Sequence, residues 1–123
     1  MKKVLLIDDE VSFAELVRLS LEDAGGYIVK TEYRGEHGLD AIRNFNPDII
    51  VLDMMMPEMN GLEVLQMLKT NDKTKDIPVI ILSAVKSNLV KRQTAGNYNE
   101  TYLEKPITVE NLKRVIEEIL VGK

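Results

Sequence analysis

Five polar side chains stand where this sequence stops being apolar. Val4-Leu5-Leu6-Ile7 runs into Asp8-Asp9-Glu10, Ile49-Ile50-Val51-Leu52 into Asp53, and Val79-Ile80-Ile81-Leu82 into Ser83. A weaker stretch, Thr101 to Glu104, is followed by Lys105. Continuous β-branched runs without alternation read as parallel strands covered on both faces. Asp8, Asp9, Asp53, Ser83 and Lys105 therefore fall at the carboxyl ends of separate strands. In an open α/β sheet those ends share one crevice, where ligands bind.

Three carboxylates in one crevice pose an electrostatic problem, since two unit charges ~4 Å apart repel by about 4 kcal/mol at an effective dielectric near 20. A hard divalent cation among the oxygens relieves it, and Mg2+ binds through few carboxylates while keeping waters. The compact ammonium of Lys105 suits a phosphoryl oxygen or a carboxylate, and Ser83 adds a hydroxyl donor. Acid cluster, cation and fixed donors are what in-line phosphoryl transfer onto a carboxylate requires. Taken singly, each residue has a bland explanation: a turn or cap aspartate, a capping serine, a solvated lysine. Joint placement at successive strand ends separates the two readings.

Helical patterns lie between the strands. Phe13, Leu16, Val17 and Leu21 are expected on one face, with Ser12 and Glu15 spaced as a capping box. Leu39 and Ile42 mark a second helix. Leu62, Val64, Leu65 and Leu68 mark a third, opened by Asn60 and Glu63. A fourth, around Ser87 to Thr94, is the least regular. Leu112, Val115, Ile116, Ile119 and Leu120 give the last helix the clearest stripe, with Thr108 as its cap. Tyr27 to Thr31 and Thr101 to Glu104 read as edge strands, and Gly25-Gly26 as a helix C-cap. Strand and helix alternate five times, which argues for one parallel sheet between helical layers.

Composition agrees. The 123 residues are 45% hydrophobic and 29% charged, ordinary for a globular domain. No cysteine is present, which excludes disulfides and thiolate metal sites and fits a reducing cytoplasm. The first apolar run is too short for a signal-peptide core or membrane span. A net charge of −4 disfavours nucleic acid as a direct partner. His37, the lone histidine, reads as a solvated residue on the second helix, and Met54 to Met56 as adaptable loop packing.

Four motifs in order and spacing resemble the receiver domain of two-component response regulators. They are Val4 to Glu10, Asp48-Ile49-Ile50-Val51-Leu52-Asp53-Met54-Met55-Met56-Pro57-Glu58-Met59-Asn60-Gly61, Pro78 to Ala84, and Tyr102-Leu103-Glu104-Lys105-Pro106. The resemblance runs from about Lys3 to Leu120. It implies a doubly wound, flavodoxin-like (βα)5 domain over 1–123 with strand order 2-1-3-4-5. By position, Asp53 matches the phospho-acceptor, Asp9 the direct Mg2+ ligand and Asp8 the ligand acting through water. Met55 matches a position lending its backbone carbonyl to the metal, where Mn2+ can substitute. Ser83 matches the switch hydroxyl, Lys105 the invariant cation, Lys105-Pro106 the family's cis peptide and Tyr102 the aromatic that changes rotamer.

The resemblance implies a signalling switch rather than a turnover enzyme, of the chemotaxis-regulator or phosphorelay kind. A sensor histidine kinase or histidine phosphotransfer protein would donate the phosphoryl group. The surface of the fourth helix, fifth strand and fifth helix would then change for a protein target that the residues do not name. A cytoplasmic protein, monomeric when unphosphorylated, is expected, without membrane or direct nucleic-acid contact. No output domain lies within these residues, which suit either a whole single-domain regulator or one part of a longer protein. Apolar Met55 and Val85 beside the path of water imply slow self-dephosphorylation. The segment 95–101 departs from the family pattern, because Tyr98 occupies the place of a small residue. The rivals are an aspartyl-nucleophile phosphatase or phosphotransferase, a nucleotide or flavin module, and a degenerate receiver used only as an interaction surface. The first lacks its Asp-x-Asp motif, the second lacks glycine-rich phosphate loops, and the third is disfavoured because every chemical position is filled.

Overall fold

The structure is a computed structural model that describes residues 1–54, 61–83 and 100–121. Within these, β1 (Lys2–Ile7), β2 (Tyr27–Glu32), β3 (Ile49–Asp53), β4 (Val79–Ser83) and β5 (Thr101–Glu104) form one sheet of order β2-β1-β3-β4-β5. Every neighbouring pair is parallel. Helices α1 (Val11–Ala24), α2 (Gly35–Phe45), α3 (Gly61–Lys69) and a last helix (Val109–Val121) cover it. This is the expected flavodoxin-like order, with Tyr27–Glu32 and Thr101–Glu104 at the two edges. The fourth helix expected around Ser87 to Thr94 lies outside the described residues, as does Asn60.

The uninterrupted apolar runs are explained by the sheet being buried twice. Successive strand side chains point to opposite faces, so Leu5, Ile7, Ile50, Leu52 and Ile81 pack with Ala41, Ile42, Val64, Leu65 and Leu68 from α2 and α3. Val4, Leu6, Ile49, Val51, Ile80 and Leu82 pack on the other face with Ala14, Val17, Leu21, Leu112, Ile116 and Leu120 from α1 and the last helix. A strand with solvent on one side would alternate; these cannot. The central strands β1, β3 and β4 are thereby fixed at both faces, which makes their carboxyl ends rigid.

Two local expectations fail at α1. Leu16 is 57% exposed rather than part of the buried stripe. Ala14, Val17 and Leu21 are the inward residues, and Phe13 packs beside them only partly buried. The Ser12–Glu15 capping box is also absent, because the helix begins at Val11 and its N-cap, Glu10, makes no side-chain cap bond. Glu15 instead binds Arg18 at 2.7 Å and accepts from Tyr33 Oη at 3.1 Å, tying α1 to the chain after β2. Thr108 does cap the last helix, its Oγ1 accepting from Asn111 N at 3.1 Å. Gly25 ends α1 with φ of 83° and donates its N–H to Glu22 O.

At the amino-terminal edge of the sheet, away from Asp53, Lys69 and Glu100 form a buried ion pair. Lys69 Nζ lies 3.3 Å from Glu100 Oε1, with side-chain exposures of 8% and 0%, and it also donates to the carbonyls of Lys75 and Ile77 at 2.9 and 3.0 Å. The pair thus joins the end of α3 and the chain leading into β4 to the start of β5. Burial pushes the Glu100 carboxyl above its ordinary value, with Lys69 pulling the other way. Removing one member of a buried pair strands the other charge. Lys69→Met is expected to destabilise the fold by about 2–4 kcal/mol at neutral pH. The loss should shrink in mild acid, because burial, which already raises Glu100, lets the stranded carboxylate take up a proton as pH falls. Urea unfolding at the two pH values checks this, and an equal loss at both contradicts it.

Candidate functional site

Strand register brings the predicted residues together. Ile7 aligns with Leu52, so Asp8, one residue past β1, comes level with Asp53 at the end of β3. Asp53 aligns with Leu82 and Ser83 with Glu104, which puts Ser83 one step and Lys105 two steps further along the same edge. β1 and β3 are also where the chain reverses its direction of winding, since β2 lies to one side of β1 and β3 to the other. That switch point opens the crevice.

The resulting cluster is tight. One carboxylate oxygen from each of Asp8, Asp9 and Asp53 lies within 4.8 Å of the others. Lys105 Nζ stands 3.3 Å from Asp53 Oδ1, 3.5 Å from Asp8 Oδ2 and 3.1 Å from Glu10 Oε1. Asp8 and Asp53 are buried, at 0% and 4% exposure, while Asp9 is exposed. Ser83 is buried at the end of β4, and its carbonyl accepts from Lys105 N at 2.7 Å. The Lys105–Pro106 peptide is cis. Tyr102 is partly buried against the α2–α3 core, on the strand that delivers Lys105. Met55 and Val85, and most of the atypical 95–101 segment, lie outside the described residues.

Burial raises the Asp8 carboxyl above its ordinary value, although the Glu10 N–H that it accepts at 2.9 Å and the charge of Lys105 favour its ionised form. Burial lowers the Lys105 ammonium, but the hydrogen bond to Glu10 and the attraction of Asp8 and Asp53 outweigh it and hold that group above its ordinary value. Asp8 Oδ2 is buried without a hydrogen-bond partner; its 3.5 Å approach to Lys105 is Coulombic only. A buried lone pair left open beside two further carboxylates is an all-oxygen donor set of the kind that a small hard dication fills. The residues present fit Mg2+.

Glu10 is the participant that the sequence reading passed over. It makes the shortest contact of Lys105 while remaining 62% exposed, so the lysine divides its charge between the rim and the acidic floor. Its place in the acidic run after β1 was visible, but nothing in the run says which carboxylate faces Lys105, 95 residues away. Beside it, Phe13, Pro106 and Ile107 complete a hollow of about 380 Å³ bordering the cluster.

Residues 4–117 match the model of the response regulator receiver domain. The chain is 35% identical over 120 residues to the DNA-binding dual master transcriptional regulator RpaA of Synechocystis sp., covering 98% of this chain and 49% of that protein. It is 35% identical over 121 residues to response regulator ArlR of Staphylococcus haemolyticus, covering 98% and 53%. The chain spans about half the length of these curated relatives. Chemotaxis protein CheY4 of Vibrio cholerae has the same fold with a TM-score of 0.84 at 30% identity, over 96% of this chain and 98% of that one. The receiver domain of Francisella response regulator 1452 matches at 0.83 and 30%, over 96% and 95%.

A carboxyl raised by burial contributes stability that is complete below its ordinary value and declines as pH rises through the raised one. Asp8→Asn keeps the Oδ1 acceptor for Glu10 N–H and removes the charge. In chelator at neutral pH it is expected to stabilise the protein by about 1 kcal/mol, with the gain fading in acid. Urea midpoints across that pH range test this; a midpoint below the parent's at neutral pH would contradict it.

Proposed function

Because the chain belongs to the response regulator receiver domains, the phospho-acceptor switches of two-component signalling, we propose that Asp53 is the residue that takes the phosphoryl group. The observation that carries this reading is the placement of Asp53: buried at the switch point, 3.3 Å from Lys105 Nζ and within 4.8 Å of two more carboxylates. An isolated buried aspartate would have no use for such neighbours.

Asp8, Asp9 and Asp53 would hold Mg2+, which when bound neutralises the acid cluster and the charge on the transferring group. An oxygen of Asp53 then attacks phosphorus in line. The new bond joins that oxygen to phosphorus as the phosphorus–nitrogen bond of a donor phosphohistidine breaks; the donor ring, protonated on its other nitrogen, takes the bonding pair and leaves as neutral imidazole. Lys105, freed from its share in Asp53, pairs with a phosphoryl oxygen. Phosphorylation exchanges about one negative charge for about two and adds strong acceptors, which the Ser83 hydroxyl and Lys105 can follow. Ser83 ends β4 and Lys105 follows β5, so movement of either reaches the surface of β5 and the last helix, and Tyr102 on β5 turns as that edge shifts. A differential of about 5.5 kcal/mol suffices to move such a switch from 1:99 to 99:1, within reach of a few charge-assisted hydrogen bonds.

A histidine kinase or histidine phosphotransfer protein is the donor in this reading, and a protein surface is the receiver of the signal. RpaA is a DNA-binding regulator. The chain described here spans the part of it that resembles a receiver, and the reading assigns this part no nucleic-acid contact of its own. Among the described residues no helix is long and apolar enough to cross a membrane.

Incubation with acetyl phosphate and Mg2+ should label the parent protein with an acyl phosphate that is lost in strong acid and in base, and chelation should prevent it. Asp53→Asn is expected to lower labelling by at least about 10²-fold, the scale on which losing a nucleophile is read. Strong labelling of that variant would sink the assignment.

A further inference from the structure

Met54, the residue that follows Asp53, is gripped from two directions. On one side Met54 N–H donates to the Leu82 carbonyl at 2.9 Å, carrying the β3–β4 pairing past the end of β3. On the other, Gly61, the first residue of α3, donates its N–H to the Met54 carbonyl at 2.7 Å. That closeness requires glycine. A Cβ on Gly61 would stand 2.5 Å from the Asp53 carbonyl oxygen, 2.6 Å from Met54 Cα and 3.1 Å from the Asp53 carbonyl carbon. All three are backbone atoms at the Asp53–Met54 junction, so none can swing aside. At Gly38, by contrast, the obstructing atoms belong to the Ile7 side chain.

We propose that Gly61 is a positioning residue for phosphoryl acceptance: its bare Cα seats the start of α3 on the Asp53–Met54 peptide and thereby sets where the Asp53 carboxylate stands relative to Asp8, Asp9 and Lys105. This deepens the reading of Asp53 as acceptor and rests on it. A methyl at Gly61 must open the 2.5 Å approach to about 3 Å or more. The peptide is held by Leu82 behind it, so the displacement passes into the acceptor or tilts α3. Mg2+ tolerates little departure from octahedral geometry, and a misplacement on the order of 1 Å at a reacting centre costs roughly 10²-fold in rate. Helix propensity predicts the opposite sign, since alanine is the better helix former. The two effects are therefore separable.

The experiment compares Gly61→Ala with Ile116→Val in the full chain. Ile116 lies in the last helix on the other face of the sheet, and its truncation lowers stability without touching the site. Calorimetric Mg2+ titration, the initial rate of acetyl-phosphate labelling, and the amide 15N shifts of Asp53 and Met54 in metal-free protein are read for each. Gly61→Ala is expected to weaken Mg2+ binding and slow labelling by about tenfold or more and to move both amide shifts. Ile116→Val should stay within about twofold in binding and rate. Gly61→Ala behaving within about twofold of the parent overturns the proposal, and so does an equal loss in both variants. Should Gly61→Ala not fold, hydrogen exchange of the parent decides: Gly61 N–H protected like the amides inside β3 supports the clamp, and rapid exchange overturns it. A parent that takes no label on Asp53 sinks the acceptor assignment instead, while the metal titration and amide shifts still measure the clamp.

Discussion

Three carboxylates and one ammonium share the crevice at the carboxyl edge of a parallel sheet, and their mutual field is the constraint to which the remaining structure answers. Asp8 and Asp53 are buried, where charge is unfavourable without a partner. Lys105 lies within 3.5 Å of both but stands closest to Glu10. One cation is thus divided among three anions, and Asp8 retains an oxygen without a hydrogen bond. Such a site is poor for stability and apt for chemistry, because whatever brings further positive charge, or takes the lysine's attention, changes the balance at once.

Holding like charges together demands a frame that does not yield. β1, β3 and β4 supply it by being packed on both faces, so each strand end is located by core contacts from four helices. The less buried edges are secured differently. At β2, Arg18 bridges Glu15 and Glu22, and Glu22 Oε2 accepts the Val29 N–H at 3.2 Å. A carboxylate thereby occupies an edge donor that would otherwise invite another strand. At β5, the Lys69–Glu100 pair anchors the strand's start while Lys105 N, bonded to Ser83 O, anchors its end. The strand that carries the lysine is therefore pinned at both ends by polar contacts rather than by a deep core.

Much of this was legible in the residue string. Three apolar runs, each broken by a chemically active residue, located the central strands and their carboxyl ends, because period-two side-chain direction and burial on both faces leave no other pattern. The helix stripes at Leu62 to Leu68 and Leu112 to Leu120 were equally plain. Leu16 and the Ser12–Glu15 cap misled for a common reason. Both inferences used local spacing, whereas the phase of α1 is set by how Ala14, Val17 and Leu21 meet the sheet, and Glu15 finds better partners in Arg18 and Tyr33 than in a helix terminus.

By itself the sequence determined the kinds and order of its elements, the chemistry available at the strand ends and the family to which the chain belongs, since these follow from periodicity and from motifs a few residues long. Only the tertiary structure decided which oxygens face Lys105, that Glu10 competes for it, that Lys69 and Glu100 meet in the interior, and that Gly61 abuts the Asp53–Met54 peptide. Those are contacts between residues up to 95 apart, or approaches decided by margins of tenths of an ångström. Neither is written in spacing along a chain; both arise only when packing brings separate elements to a common distance.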